Sequence, residues 1–301
     1  MLDVRRLRLL REVKIRGTLS EVAAVLHQSP SSVSQQLSQL EREVGVELLQ
    51  KAGRRVRLTP QAEILVEKTG RILHLLEEAE SDVKASFHEP GGTVRIAVFQ
   101  SAAIAIIPEA LTILTGRYPK MRVVVTQREP ETALGETWSS DFDLVVAEQY
   151  PNHAAPWFEG LDREHLTSDR IHLGVPHNGT LSAISSVAEA ANAPWVMEPR
   201  GAASRHFAEQ TCRLSGFEPD IRFETADLQA HARLVESGNA ISLLPGLLWH
   251  GDPPPIQLIG IPGDPDRTIF TATRHATRRS PNIAALREAL TQAVTKVGGN
   301  W

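Results

Sequence analysis

Between residues 29 and 39 the chain reads Ser29-Pro30-Ser31-Ser32-Val33-Ser34-Gln35-Gln36-Leu37-Ser38-Gln39, a stretch dominated by hydroxyls and carboxamides. Each of these groups both donates and accepts hydrogen bonds, and Gln can pair bidentately with adenine. The stretch therefore has the chemistry to read base edges in a DNA groove. Shortly after it, Lys51, Arg54, Arg55 and Arg57 crowd around Gly53. A glycine can turn a small hairpin there, and a basic hairpin suits phosphates or a minor groove. A polar stretch alone is more simply a solvated face; the basic residues beside it are what favour nucleic acid. Residues 1–58 hold eleven Lys/Arg against six Asp/Glu, residues 59–92 three against seven, and residues 93–301 eighteen against twenty-three. A basic head on an acidic body is the distribution expected of a chain that turns its head toward DNA.

Helices must hold these groups in place. Residues 1–16 alternate Arg with Leu and Val, putting Leu2, Leu7, Leu10 and Val13 on one face, and Gly17 ends that helix. Thr18-Leu19-Ser20-Glu21 is a capping box that starts a second helix, with Val22, Ala23, Val25 and Leu26 as its inner face. Ser29 as N-cap and Pro30 at the first position start a third, running to about Val44. There Val33, Leu37, Leu40 and Val44 face inward, and Ser31, Ser32, Ser34, Gln35, Gln36, Ser38 and Gln39 face out. Two helices joined by a short turn, the second polar on its outer face, make a helix-turn-helix, and the basic hairpin makes it winged. Thr59-Pro60 repeats the cap-plus-proline device and opens a helix to about residue 87. Its residues Ala62, Leu65, Thr69, Ile72, Leu76, Ala79 and Val83 recur at 3-4 spacing, a heptad seam that calls for a partner helix.

Beyond a hinge at His88-Glu89-Pro90-Gly91-Gly92, strands and helices alternate, as in α/β sheets. Strands are predicted at 93–99, 122–127, 142–147, from 170 to 175, and at 195–198, 221–224, 240–244, 256–259 and 268–273. Helices are predicted at 102–115, 131–138, 187–191, 203–215, 228–237 and from Ser280-Pro281 to 297. The pattern describes two lobes with two crossings between them, an arrangement of the periplasmic-binding-protein type with a ligand cleft between the lobes. Loops at the carboxyl ends of strands face such a cleft. That topology selects Gln100, Ser101 and Ala102, then Arg128 and Glu129, then Pro199, Arg200 and Gly201, and Thr225 as effector-binding residues. The Ser101 hydroxyl with its helix N-terminus, together with Arg200, favours an anionic ligand. A plain helix cap for Ser101 and a solvated loop charge for Arg200 are the simpler alternatives.

Other chemistries find little footing. The eleven histidines are scattered, and His172 and His177 have no carboxylate or histidine at metal spacing. No GxSxG, P-loop or strand-following GxGxxG occurs, and Asp141 with Asp143 reads as a strand-entry turn. The one cysteine, Cys212, rules out an internal disulfide. No catalytic residue, metal or cofactor is therefore expected, and the chain is not expected to be an enzyme. The first sixteen residues read as a basic amphipathic helix with no signal-peptide core, and no apolar run approaches ~20 residues, so a cytoplasmic protein without membrane contact is expected.

On these residues the chain resembles the LysR-type transcriptional regulators. The resemblance runs through Gly17-Thr18-Leu19-Ser20, Val22-Ala23-Ala24-Val25-Leu26-His27-Gln28-Ser29, Val33-Ser34-Gln35-Gln36-Leu37, Leu40-Glu41, Val44-Gly45-Val46-Glu47-Leu48-Leu49 and Gly53-Arg54-Arg55-Val56-Arg57-Leu58-Thr59-Pro60. In the body it continues through Gly92-Thr93-Val94-Arg95-Ile96-Ala97, Phe142-Asp143-Leu144-Val145-Val146, Gly216-Phe217-Glu218-Pro219 and the segment from Leu234 to Pro245. Pro30 and Gln35 stand where the family usually has Gln and Arg, so its base preferences are not carried over.

The resemblance implies an α+β two-part chain: an N-terminal winged helix-turn-helix (1–58), a long linker helix (59–88), and a C-terminal two-lobed α/β effector domain (89–301). Lobe I is expected at about 93–165 with 265–301, and lobe II at about 166–264. The expected DNA-binding residues are Ser29, Ser31, Ser32, Ser34, Gln35, Gln36, Gln39, Lys51, Arg54 and Arg55. The implied partners are double-stranded DNA at an interrupted inverted repeat, a small-molecule co-inducer, RNA polymerase when activating, and further copies of the chain. Those copies pair through the linker helix as a dimer, often assembled as a tetramer.

Overall fold

The computed structural model describes residues 2–52, 55–85, 89–251 and 253–297 and divides into two compact units, Met1–Val83 and Lys84–Trp301. In the first unit, α1 (Val4–Arg16) starts on the Asp3 carboxylate, which accepts from the Arg5 amide at 2.7 Å. It stops at Gly17, whose φ of 78° needs no Cβ. α2 (Leu19–Val25) is capped by Thr18, whose hydroxyl accepts from the Glu21 amide at 3.2 Å. α3 (Pro30–Val44) is capped by Ser29, accepting from the Ser32 amide at 3.1 Å, and ends at Gly45 with φ 79°. Leu7, Leu10, Val13, Val22, Val33, Leu37, Leu40 and Leu48 close the core of this unit. Leu2 and Val25 are exposed rather than inward: Leu2 precedes α1, and Val25 is the last residue of α2 before His27 turns the chain at φ 52°.

An antiparallel hairpin follows, β1 (Leu49–Ala52) with β2 (Arg55–Leu58), and then α4 (Pro60–Ala85). The heptad positions of α4 divide by height. Ala62 and Thr69 are buried, with Val66 joining the helical core, whereas Ile72, Leu75, Leu76 and Val83 are exposed. The first turns pack on their own unit and the later ones leave an apolar stripe bare.

The second unit is built on one sheet of order β10-β6-β11-β5-β3-β4, with β9 also paired to β6. β3 (Gly92–Val98) lies parallel to β4 (Met121–Gln127) and β5 (Leu144–Gln149), joined by α5 (Gln100–Ala105), α6 (Ile107–Arg117) and α7 (Pro130–Trp138). β6 (Leu161–Val175) is antiparallel to everything it touches. Its residues 161–170 pair with β11 (Asp266–Arg274), and its residues 171–175 pair with β9 (Ser242–Pro245) and β10 (Gln257–Gly260). A second, two-stranded parallel sheet joins β7 (Pro194–Met197) to β8 (Asp220–Glu224), flanked by α8 (Ala203–Leu214) and α9 (Leu228–Glu236). α10 (Pro281–Val297) returns onto the first core, where Leu286 and Leu290 meet Ile96, Val98 and Leu114. A separate core gathers Leu173, Val175, Trp195, Phe207 and Cys212. β6 therefore threads both cores, beginning nine residues before the strand predicted from residue 170. Its first half hides in the sequence because Asp162, Arg163, Glu164 and His165 look like a loop. In the fold, Arg287 on α10 answers Asp162 at 2.7 Å and Glu164 at 2.6 Å. The helix predicted at 187–191 is a 3-10 turn, Ala188–Asn192.

Because Leu40 is fully buried in the core that seats α3, Leu40→Ala is expected to cost about 2–5 kcal/mol. The loss should appear as an earlier thermal transition of the first unit; an unmoved transition would show that α3 is not held by that core.

Candidate functional site

Two sites are assembled, one in each unit. On α3, Ser31, Ser34, Gln35 and Ser38 are exposed, while Ser32, Gln36 and Gln39 are half-buried. Some of these groups already restrain one another. The Ser29 and Ser31 hydroxyls are 2.9 Å apart, and the Gln36 amide donates to Gln28 at 2.9 Å, leaving Gln35 and Ser34 facing solvent. The hairpin is tied to α3 by Glu41, whose carboxylate accepts from the Leu48 amide at 2.8 Å and the Leu49 amide at 3.1 Å. Thr59 closes the other end, donating to the Glu47 carbonyl at 2.9 Å and accepting from the Ala62 amide at 3.2 Å. Lys51 and Arg55 are partners of Val56 and Ala52 in the hairpin ladder, and Arg54 lies outside the described residues. Glu41 was not selected from the sequence as a positioning residue. Its cue is an acid on the recognition helix just ahead of a glycine stop, where the next strand's first amides need an acceptor.

In the second unit the site is a narrow, partly enclosed cleft. From one side it is lined by Phe99 and Gln100 after β3, Glu129 after β4, and Glu148 and Tyr150 at the end of β5; from the other by Glu198 after β7 and Leu228 at the start of α9. Arg267 of β11 forms its floor and is 1% exposed. Its Nε donates to Asp169 at 2.8 Å, one Nη donates to the Ser101 hydroxyl at 2.6 Å, and the other pairs with Glu148. The guanidinium also lies 5.1 Å from the centre of the Phe99 ring. Gln100 reaches across the cleft: its amide donates to Asp227 at 2.8 Å and its oxygen accepts from the Leu228 amide at 2.8 Å. Glu131 makes a second crossing, accepting from the Ala203 amide at the N-terminus of α8 at 3.1 Å.

The electrostatics are those of too many carboxyls for one guanidinium. Burial, then Glu129, Asp169 and Glu131, push Glu148 up to about 7 despite the opposing charge of Arg267. Burial, followed by Glu148 and Glu129, holds Glu198 well above the usual carboxylate range, and burial with Glu131 raises Glu129. For Arg267 burial works against the charge, but Glu148 and Asp169 outweigh it and hold the guanidinium ionised.

Of the effector residues expected from topology, Gln100 and Glu129 line the cleft. Ser101 is fully buried and its hydroxyl accepts from Arg267, and Ala102 is fully buried in the first core. Arg128 is exposed and pairs with Glu136 at 3.4 Å. Pro199, Arg200 and Gly201 form an exposed loop, and the Thr225 hydroxyl accepts from the Asp227 amide at 3.2 Å. The expected anionic ligand rested on Ser101 and Arg200, and neither lines the cleft. Glu148, Tyr150, Glu198, Leu228 and Arg267 were not foreseen. The signal for them was a charge terminating or opening an otherwise apolar strand, as in Val145-Val146-Ala147-Glu148 and Arg267-Thr268-Ile269-Phe270.

Comparison with known proteins agrees with both geometries. The family model for "Bacterial regulatory helix-turn-helix protein, lysR family" matches residues 4–63, and that for "LysR substrate binding domain" matches residues 87–295. The transcriptional dual regulator GltC of Bacillus subtilis (strain 168) is 28% identical over 246 residues, 81% of each chain. The regulator ClcR of Pseudomonas putida is 24% identical over 249 residues, 81% of this chain and 83% of its own. Among solved structures, a full-length OxyR variant from Pseudomonas aeruginosa superposes with a TM-score of 0.69 at 16% identity, covering 96% of this chain and 95% of that one. Full-length CbnR with its target DNA gives 0.54 at 20% identity over 97% of this chain and 100% of that one. At these identities the two structures share the fold.

The raised carboxyl has a consequence for stability. Between about 4.5 and about 7 the folded chain keeps on Glu148 a proton that the unfolded chain has lost, so stability falls as pH rises through that window. Glu198 and Glu129 act in the same direction. Urea midpoints of the second unit measured across this range should decline, and Glu148→Gln should remove part of the decline. An identical slope in the variant would mean Glu148 is not among the groups responsible.

Proposed function

Because the chain belongs to the LysR-type family of bacterial transcriptional regulators, whose members bind DNA and carry an effector domain, we propose how its own residues carry out those two tasks. In this reading residues 1–58 bind DNA, 59–88 form the linker and 89–301 hold the effector, with lobe I at about 93–165 and 265–301 and lobe II at about 166–264. The observation that carries the DNA half is the exposed Ser/Gln face of α3 fixed beside a basic hairpin by Glu41. Ser31, Ser34 and Gln35 enter the major groove, and Lys51, Arg54 and Arg55 take phosphates or the minor groove. Ser29, Ser32, Gln36 and Gln39 support that face.

The bare stripe of Ile72, Leu75, Leu76 and Val83 supports pairing of two copies through α4, and a pair reads an interrupted inverted repeat by matching its own two-fold symmetry. Dimers joining into a tetramer, contact with RNA polymerase when activating, and a cytoplasmic setting complete the reading. Among the described residues no helix is long and apolar enough to cross a membrane. The cleft over Arg267 is the effector site, and the chain regulates without catalysing a reaction. An effector acts there only through its different affinity for two states of the assembly, and the Gln100 and Glu131 crossings are the contacts that distinguish a closed cleft from an open one.

A DNA mobility shift on the gene's own upstream region, at two salt concentrations and against unrelated competitor, tests the first half. Lys51→Ala with Arg55→Ala should lower the salt slope by about 0.9 for each phosphate no longer neutralised, and Gln35→Ala should relax base preference at a cost of about 1–3 kcal/mol. An unchanged slope and preference would reject this interface. Leu76→Glu should shift the protein toward monomer in sedimentation velocity; an unaltered assembly would place the self-contact elsewhere.

A further inference from the structure

We propose that the ligand of the cleft over Arg267 is a small organic cation, an amine or guanidinium compound, held between carboxylates from both walls. The proposal rests on the reading of this cleft as the effector site and adds the chemistry of what enters it. Glu129 and Glu148 come from the wall built on β4 and β5, Glu198 from the wall built on β7, and Asp227 stands at the rim beside Gln100. Glu129 and Glu198 have no hydrogen-bond or ion-pair partner for their carboxylates among the described residues, and the Glu198 carboxyl is deeply buried. A buried carboxyl without a partner, facing a cavity, is an acceptor held in reserve for a donor that arrives with the ligand.

The features that would draw an anion are already occupied. Arg267 is saturated by Asp169, Glu148, Ser101 and the Phe99 face. The N-terminus of α8 is taken by Glu131, and that of α9 by Asp227 and Gln100. A metal ion fits poorly as well, since among the described residues no three His, Cys, Asp or Glu groups converge on one point. Spread carboxyls suit a cation whose charge sits on an extended or planar group.

The placement also supplies the coupling. Carboxyls from the two walls share this poorly hydrated volume, and a cation between them takes the place of protons held there, an interaction that exists only when the walls are close. Glu148 is faced by Arg267, Glu129, Glu131, Asp169, Tyr150 and Glu198. A cation bound among them releases protons that burial keeps on the carboxyls, so affinity rises with pH across neutrality.

Isothermal titration calorimetry on the full-length protein tests this, with agmatine and putrescine as cationic probes and succinate and glutarate as anionic ones. The cations are expected to bind with proton release, more tightly at about pH 8 than at about pH 6. Glu198→Gln and Glu129→Gln, both near-isosteric, should each weaken binding about tenfold, the worth of roughly one desolvated charge pair, while retaining the wild-type thermal transition. Binding of the dicarboxylates in place of the amines, or amine binding indifferent to both substitutions, would overturn the cationic ligand and leave the effector cleft standing. If neither class binds and neither alters the DNA mobility shift, the cationic ligand is overturned together with the effector reading of this cleft.

Discussion

A buried guanidinium costs several kcal/mol to desolvate, and the cost is recovered only when its donors meet well-placed acceptors. Arg267 meets that condition with partners from three other elements: Ser101 at the start of α5, Glu148 at the end of β5 and Asp169 within β6. Asp169 in turn accepts from the Leu247 amide at 2.9 Å, beside β9. The cluster thus sits where β6 leaves the first core and enters the second, and it ties β5, β6 and β11 to the start of α5. Removing one partner would leave a charge buried without compensation, so the network specifies the register of these elements as well as their proximity.

The same network fixes the character of the cleft. One guanidinium among Glu148 and Asp169, with Glu129, Glu131 and Glu198 close by, leaves a surplus of carboxyls in a poorly hydrated place. The surplus appears as protons held on Glu148 and Glu198 rather than as free negative charge. By contrast, the head is built from local devices: Asp3, Thr18 and Ser29 start three helices, and two left-handed glycines stop two of them. Glu41 is another such device, tying amides seven and eight residues further along the chain to α3 so that helix and hairpin form one surface.

Most of the head was legible in the sequence because its determinants are local. Caps, Pro30, Gly45 and the 4-3-4 spacing of Val33, Leu37, Leu40 and Val44 act within a few residues of one another, and the polar face of α3 follows from the same periodicity. The alternation of strands and helices in the body was equally readable, and so was the place where the first strand meets its helix at Gln100. The sequence by itself therefore determined the fold class, the exposed polar face of α3 and the alternating α/β build of the body. What lines the cleft was decided by tertiary structure. Arg267 stands 98 residues from Asp169, 119 from Glu148 and 166 from Ser101. No local pattern links residues so far apart, and each taken alone looks like an ordinary surface charge or cap. Folding brings them into one low-dielectric volume, where the hydroxyl that seemed free for a ligand accepts from an arginine and a set of ordinary glutamates becomes the chemistry of the site.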